Sequence, residues 1–180
     1  MTDLGTSAPW PPAPITTERL VLRESQARDR AAFVDLFSSP EVNTYLGGPQ
    51  PRDALERDMP AVPGRRSGLF VVDLAGTMIG QVILTRDSGH LPQAAGRVEL
   101  GYLFLPSAWG RGYATEACGA ALAWFDSTHP GEPLVLATQT ANAASMRLAA
   151  RLGFEEVERF VAYDAEQSFA LRPPTTTGLT

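Results

Sequence analysis

Apolar and polar positions along the chain mark out a regular succession of elements. Leu20 and Leu22 alternate with charged or polar neighbours, which predicts a first strand over 18–24. Ser25 stands where it can cap a helix whose apolar positions include Ala32, Phe33, Leu36 and Phe37. Segments 41–47 and 52–59 each predict a short helix. Strands at 68–74 and 78–85, joined by Ala75, Gly76 and Thr77, predict a hairpin, and 87–96 reads as a loop. The run 97–105 is almost wholly apolar, as expected of a strand buried on both faces. After a turn region at 106–111, a helix is predicted over 112–127. Its small residues Ala114, Ala117, Cys118 and Ala121 share a stripe with Phe125, so it can lie close to a sheet. A strand follows at 133–138. Asn142 then caps a helix that ends at Gly153, with Phe154 beyond it. A last hairpin spans 156–171, with its turn near Asp164. The predicted order is β-α-α-β-β-β-α-β-α-β-β, an α/β domain with a mixed sheet.

The chain has 180 residues, enough for one core. Residues 1–14, with four prolines, read as a flexible leader, 15–172 as a single domain, and 173–180 as a disordered tail. No apolar run is long enough to cross a membrane and the first residues do not resemble a signal peptide, so the expected location is cytoplasmic. A net charge of −5 argues against a nucleic-acid partner. All fifteen basic residues are arginine. Without lysine there is no Walker-type phosphate loop, Schiff base or pyridoxal chemistry. The single cysteine, Cys118, excludes a cysteine metal cluster, and no metal is expected. His90 and His129 sit beside Gly89 and Pro130 in predicted loops, which reads as surface placement.

The most informative segment is the turn from strand 97–105 into the next helix, WGRGYA over 109–114. Gly110 and Gly112 let successive N–H groups converge, the helix start adds unpaired donors and its positive dipole end, and Arg111 adds a charge. Together they suit a pyrophosphate. A first alternative is a tight strand-to-helix connection with glycines for sterics alone, the usual reading of a lone Gly-x-Gly. A dinucleotide fingerprint fails because Thr115 stands at the third glycine position and no acidic residue ends the next strand. An acyl-coenzyme-A site is the third reading.

Four segments, in order, favour that third reading: ITTERLVLR at 15–23, ELGY at 99–102, WGRGYATEA at 109–117, and NAAS at 142–145 followed by RLGF at 151–154. With them, residues 15–171 resemble the GNAT superfamily of N-acetyltransferases, most closely the branch of the ribosomal-protein N-terminal acetyltransferases. The superfamily turn usually reads Gln/Arg-x-x-Gly-x-Gly/Ala, and Trp109 stands here at its first position, as this branch commonly shows. The resemblance implies a mostly antiparallel sheet flanked by helices and direct acetyl transfer from acetyl-CoA to a primary amine. It also implies a bulge in strand 97–105 that splays it from 133–138, leaving a gap for the pantetheine arm. The cofactor-binding set it implies is Leu103, Phe104, Leu105, Trp109, Gly110, Arg111, Gly112, Tyr113, Ala114, Thr115 and Asn142, with an oxyanion donor at the N–H of Leu103 or Phe104. A homodimer is a further expectation by analogy. A module that binds acyl-CoA without catalysis is the rival reading.

Glu99 is the candidate base, since a carboxylate among apolar neighbours has its pKa raised, and Gly101 on the same face leaves room. The alternatives are a structural pair with Arg97 or Arg86, or a water-relayed base. Many superfamily members carry a tyrosine seven residues after the asparagine of the second cofactor helix; here Ala149 stands there, so Ser145 is the candidate donor to the leaving thiolate, with Tyr102 or Tyr163 as alternative hydroxyls. Cys118 reads as a packing residue. The resemblance places the acceptor side at 41–49, 87–95 and 161–168. Those segments contain Glu41, Asp87, Asp164 and Glu166 as possible attractants for a cationic amine, with Tyr45 and Tyr163.

Overall fold

The computed structural model describes Leu4 and residues 10–175. Its strands are β1 (Ile15–Thr16), β2 (Val21–Arg23), β3 (Leu69–Leu74), β4 (Thr77–Arg86), β5 (Val98–Phe104), β6 (Leu134–Gln139), β7 (Glu155–Ala162) and β8 (Ala165–Arg172). The helices are α1 (Arg30–Ser38), α2 (Arg52–Asp58), α3 (Tyr113–Thr128) and α4 (Ala143–Arg151). All eight strands join one sheet in the order β1-β2-β3-β4-β5-β6-β8-β7. Every neighbouring pair is antiparallel except β5 and β6.

The expected α/β domain, GNAT-like in its mixed and mostly antiparallel sheet, is therefore present, with differences near its start. The first strand is broken in two: the Thr17 hydroxyl and N–H both bond to Leu20 O, turning the chain between β1 and β2. Ser25 does not cap a helix and its buried hydroxyl has no partner. Asp29 takes the capping role, accepting from Gln26 N–H at 2.8 Å while Arg23 binds Asp29 and Asp73 in a buried network. Segment 41–47 is a series of turns, anchored by Asn43, whose amide donates to Leu36 O and Ser39 O. In the segment read as a leader, Leu4 is fully buried and Trp10 packs edge-on against Phe70 and Trp124; positions 1–3, 5–9 and 176–180 lie outside the described residues.

The sheet separates two cores. One lies under α3 and α4 and includes Leu100, Phe104, Ala117, Cys118, Ala121 and Phe125. The other lies under α1, with Phe33, Leu36, Leu69 and Val71, and Leu103 and Leu105 packed against it. Alternation along β5 therefore sends Leu100, Tyr102 and Phe104 to the α3/α4 face and Glu99, Gly101 and Leu103 to the α1 face.

Candidate active site

A splay in the middle of the sheet creates the site. β5 and β6 pair only at Val98↔Leu134 and Glu99↔Val135, and from Leu100 onward β5 has no partner in β6. On its other side β5 pairs with β4 from Arg86↔Val98 to Gly80↔Phe104 without a register shift. The expected bulge is absent; the gap opens because β6 stays with β8 along its full length. Leu105 N–H donates to Ile79 O, and Arg97 O accepts from Asp87 N–H. These bonds fix the parity of the β4–β5 ladder: odd-numbered residues of β5 point their main-chain groups at β4, and even-numbered ones point at the gap. Leu103 N–H is thereby turned away from the gap, which corrects its expected role as oxyanion donor. Tyr102 and Phe104 present main-chain groups to it.

The cleft that follows this gap has a volume of about 1700 Å³, above the roughly 300–1,000 Å³ usual for one small ligand. Of the residues expected at the cofactor, Leu103, Phe104, Trp109, Gly110, Gly112, Tyr113, Ala114, Thr115 and Asn142 line it. Leu105 and Arg111 do not. Leu105 belongs with the α1 core, and the Arg111 side chain is exposed while its carbonyl accepts from Arg19 Nη1 at 2.9 Å.

The turn before α3 is built as a cradle. Trp109 Nε1 donates to Phe104 O at 2.8 Å, tying the end of β5 to the turn. Gly110 and Gly112 have φ of +71° and +78°, where a side chain would be strained. The first helical bond runs from Glu116 N–H to Gly112 O, so the N–H groups of Tyr113, Ala114 and Thr115 have no acceptor within the helix. Sequence reasoning missed the buttress of this cradle. Glu116 accepts from Thr17 Oγ1 at 2.7 Å, from Arg19 N–H at 2.9 Å and from Arg19 Nε at 2.7 Å. Arg19 also lies 4.6 Å over the Tyr113 ring. Partial burial would raise the Glu116 pKa, but the Thr17 and Arg19 donors outweigh it and hold the carboxyl below its ordinary value.

Across the gap, Asn142 caps α4 by accepting from Ser145 N–H at 3.2 Å. The Ser145 hydroxyl contacts the Tyr102 hydroxyl directly, so the serine candidate and one of its alternatives form a single pair. Burial pushes the Tyr102 phenol up to about 12, against the Ser145 hydrogen bond. Cys118 is fully buried in the α3 core, where burial pushes its thiol up, consistent with a packing role.

On the opposite face, Glu99 is buried and lines the cleft where β5 and β6 part. Its pairing differs from both expected partners: Arg86 binds Glu132 at 2.6 Å and Leu4 O, and no Arg97 ion pair occurs among the described residues. His90 Nε2 instead lies 3.3 Å from Glu99 Oε1. Glu99 Oε2 is buried without a hydrogen-bond partner. Burial raises the Glu99 pKa, with Ser88 and His90 opposing. His90 is exposed, as the sequence reading had it, and also contacts the site; His129, expected at the surface too, is instead buried and stacks on Phe125. Of the four acids expected at the acceptor side, Glu41 and Asp164 line the cleft. Asp87 instead accepts from Gly96 N–H, and Glu166 pairs with Arg159.

The family profile described as "Acetyltransferase (GNAT) domain" matches residues 19–155. The chain belongs to the GNAT acetyltransferase family. The uncharacterized protein YkkB of Bacillus subtilis is 31% identical over 150 residues, covering 77% of this chain and 83% of that one. A GNAT acetyltransferase of Bacillus anthracis has the same fold with a TM-score of 0.72 at 20% identity, covering 89% of this chain and 98% of that one. An aminoglycoside acetyltransferase solved with coenzyme A matches with a TM-score of 0.67 at 18% identity, covering 86% and 94%. An acetyltransferase of Salmonella typhimurium that modifies the N-terminal serine of a 50S ribosomal subunit protein matches with a TM-score of 0.64 at 14% identity, covering 89% and 98%. The last two share the fold and differ in what they acetylate. Among the described residues no helix of this GNAT domain is long and apolar enough to cross a membrane, and no group of metal-ligating side chains occurs.

Proposed function

We propose that this acetyltransferase transfers acetyl from acetyl-CoA directly to a primary amine, with Glu99 as the base. The observation that carries the proposal is Glu99 Oε2: a buried carboxylate oxygen without a partner, at the point where the central strands part. The Glu99 side chain lines the cleft beside Ser88 and His90, so an amine entering there meets this carboxyl group.

The residues fit acetyl-CoA as co-substrate. The unpaired amides of Tyr113, Ala114 and Thr115, with the two left-handed glycines, receive the pyrophosphate. The open edge of β5 pairs with the pantetheine arm. The co-substrate supplies an activated thioester whose carbonyl carbon the amine nitrogen attacks. The Glu99 carboxylate takes the amine proton, and the main-chain N–H of Tyr102 or Phe104 faces the developing oxyanion. As the C–S bond breaks, the Tyr102–Ser145 pair donates a hydrogen bond to the departing sulfur. Base and hydroxyl pair thus act from opposite faces of β5.

The test is release of free thiol from acetyl-CoA with a panel of N-terminal peptides, polyamines, amino acids and aminoglycosides. Thiol release that depends on an amine separates transfer from simple acyl-CoA binding. With the best acceptor, Glu99→Gln is expected to lower turnover by about 10²–10⁴ while leaving CoA affinity nearly unchanged. Wild-type turnover with the wild-type pH profile in that variant would remove Glu99 from the mechanism.

A further inference from the structure

The contact between His90 and Glu99 joins two segments far apart in the chain, and a third holds it in place. His90 lies in the loop between β4 and β5, and its Nε2 is 3.3 Å from Glu99 Oε1. Its side chain is 45% exposed, against 10% for Glu99, so the imidazole stands between the buried carboxylate and solvent. The Tyr163 hydroxyl donates to His90 O at 2.5 Å. Tyr163 and Asp164 form the β7–β8 turn with φ of +54° and +57°, a pairing typical of two-residue hairpins that follow the strand twist. The hairpin tip thereby pins the His90 backbone.

We infer that His90 is a positioning residue for Glu99: its Nε2, on a backbone held through Tyr163, contacts Oε1 and fixes the carboxyl group at the cleft, where β5 and β6 part. This rests on the reading of Glu99 as the base. A carboxylate that is only accepting leaves Nε2 to present the hydrogen. With one oxygen in contact, rotation of the carboxyl group is restricted. The engagement also favours the ionised form, against the burial that disfavours it.

The surroundings of Glu99 leave few other groups for this task. On β4, Thr85 stands opposite it, and the Arg86 guanidinium is turned to Glu132 and Leu4 O. On β6 the opposing residue is the apolar Val135. Ser88 is the other polar group acting on Glu99 from the loop. Arg97 lies two residues earlier on the same strand line and is exposed. The other ionisable side chains lining the cleft are Glu41, Tyr45, Arg66, Tyr102, Tyr113, Arg147, Arg151, Tyr163 and Asp164.

The test is the pH dependence of kcat/KM for His90→Ala, His90→Gln, Tyr163→Phe and Glu99→Gln. Losing the His90 contact disfavours the carboxylate, so the acid limb of His90→Ala moves to higher pH. A shift of about half a unit to one unit is expected, which is roughly three- to tenfold lower kcat/KM at a pH on that limb. His90→Gln, which retains an N–H donor, restores part of it. Tyr163→Phe shifts the limb in the same direction by less, and KM for acetyl-CoA stays constant in all three. If Glu99→Gln is impaired but His90→Ala keeps the wild-type limb, the inference about His90 is overturned. If Glu99→Gln itself retains wild-type turnover, the reading of Glu99 as the base fails instead.

Discussion

The Tyr102–Ser145 pair provides the sharpest quantitative expectation. Under the proposed mechanism, a phenol pushed up to about 12 would act on a thiol whose ordinary pKa is about 8.5. Complete transfer of the phenolic proton to the CoA thiolate is therefore uphill by roughly 3.5 pKa units, or about 5 kcal/mol. In the proposed mechanism the pair therefore contributes a hydrogen bond to the developing thiolate and leaves full protonation to solvent. A hydrogen bond to a charged group is worth about 1.5–3 kcal/mol, so Tyr102→Phe should lower kcat by roughly 10- to 150-fold. Ser145→Ala should cost less, because it leaves the phenol in place. The double variant should fall well short of the product of the two single effects, since both hydroxyls belong to one hydrogen-bonded unit. Release of free thiol at saturating acetyl-CoA and acceptor measures kcat, and titration with CoA checks that binding is unchanged. Full activity in Tyr102→Phe would refute the assignment. A limb in the wild-type profile near neutral pH that disappears in Tyr102→Phe would refute the argument about the phenol, which titrates far above that range.

Two further expectations concern the cradle. Gly112→Val imposes a β-branched side chain on a backbone at φ +78°, so CoA affinity measured by calorimetric titration should collapse. Arg111→Ala should cost much less, because that side chain points away from the cleft; equal losses in the two variants would contradict the geometry. Glu116 has a folded-state pKa held below its ordinary value, so its contribution to stability is complete above the unfolded pKa and disappears as pH falls through the folded one. Thermal unfolding should show wild type losing its advantage over Glu116→Gln across that acidic range, and a constant difference down to the lowest pH would exclude this linkage.

The legible parts of the chain were those whose signals are local. Gly110, Gly112 and the small-residue stripe of α3 lie within one strand-turn-helix unit, and Asn142 accepts from an N–H three residues on, so spacing alone predicted the turn, the helix and the cap. The broken first strand was hidden because Leu20 and Leu22 keep alternating through a turn made by a side chain, the Thr17 hydroxyl. Ser25 looked like a cap because nothing local reveals that Arg23 recruits Asp29 and, from another strand, Asp73. The contacts of Arg19 with Glu116, Tyr102 with Ser145, and Tyr163 with His90 each join residues more than forty positions apart. No periodicity encodes such pairs; they exist only once the sheet order is set. Ladder parity was equally invisible, which is why sequence reasoning did not choose between Leu103 and Phe104 as the oxyanion donor.

The outer edge of the sheet also bears on how copies of the protein meet. β7 ends the strand order and exposes Val157 and Val161, an invitation to a neighbouring strand. Yet the register with β8 slips between Glu156 and Glu158, leaving Val157 as an extra residue that bends the strand. Glu155, Glu156 and Glu158 crowd negative charge beside that kink. A second copy laid edge to edge would have to match a distorted ladder while bringing those carboxylates together. The opposite margin, β1, offers only two residues. Neither margin is a template for adding strands, so crowding in solution does not readily extend this sheet into a fibre.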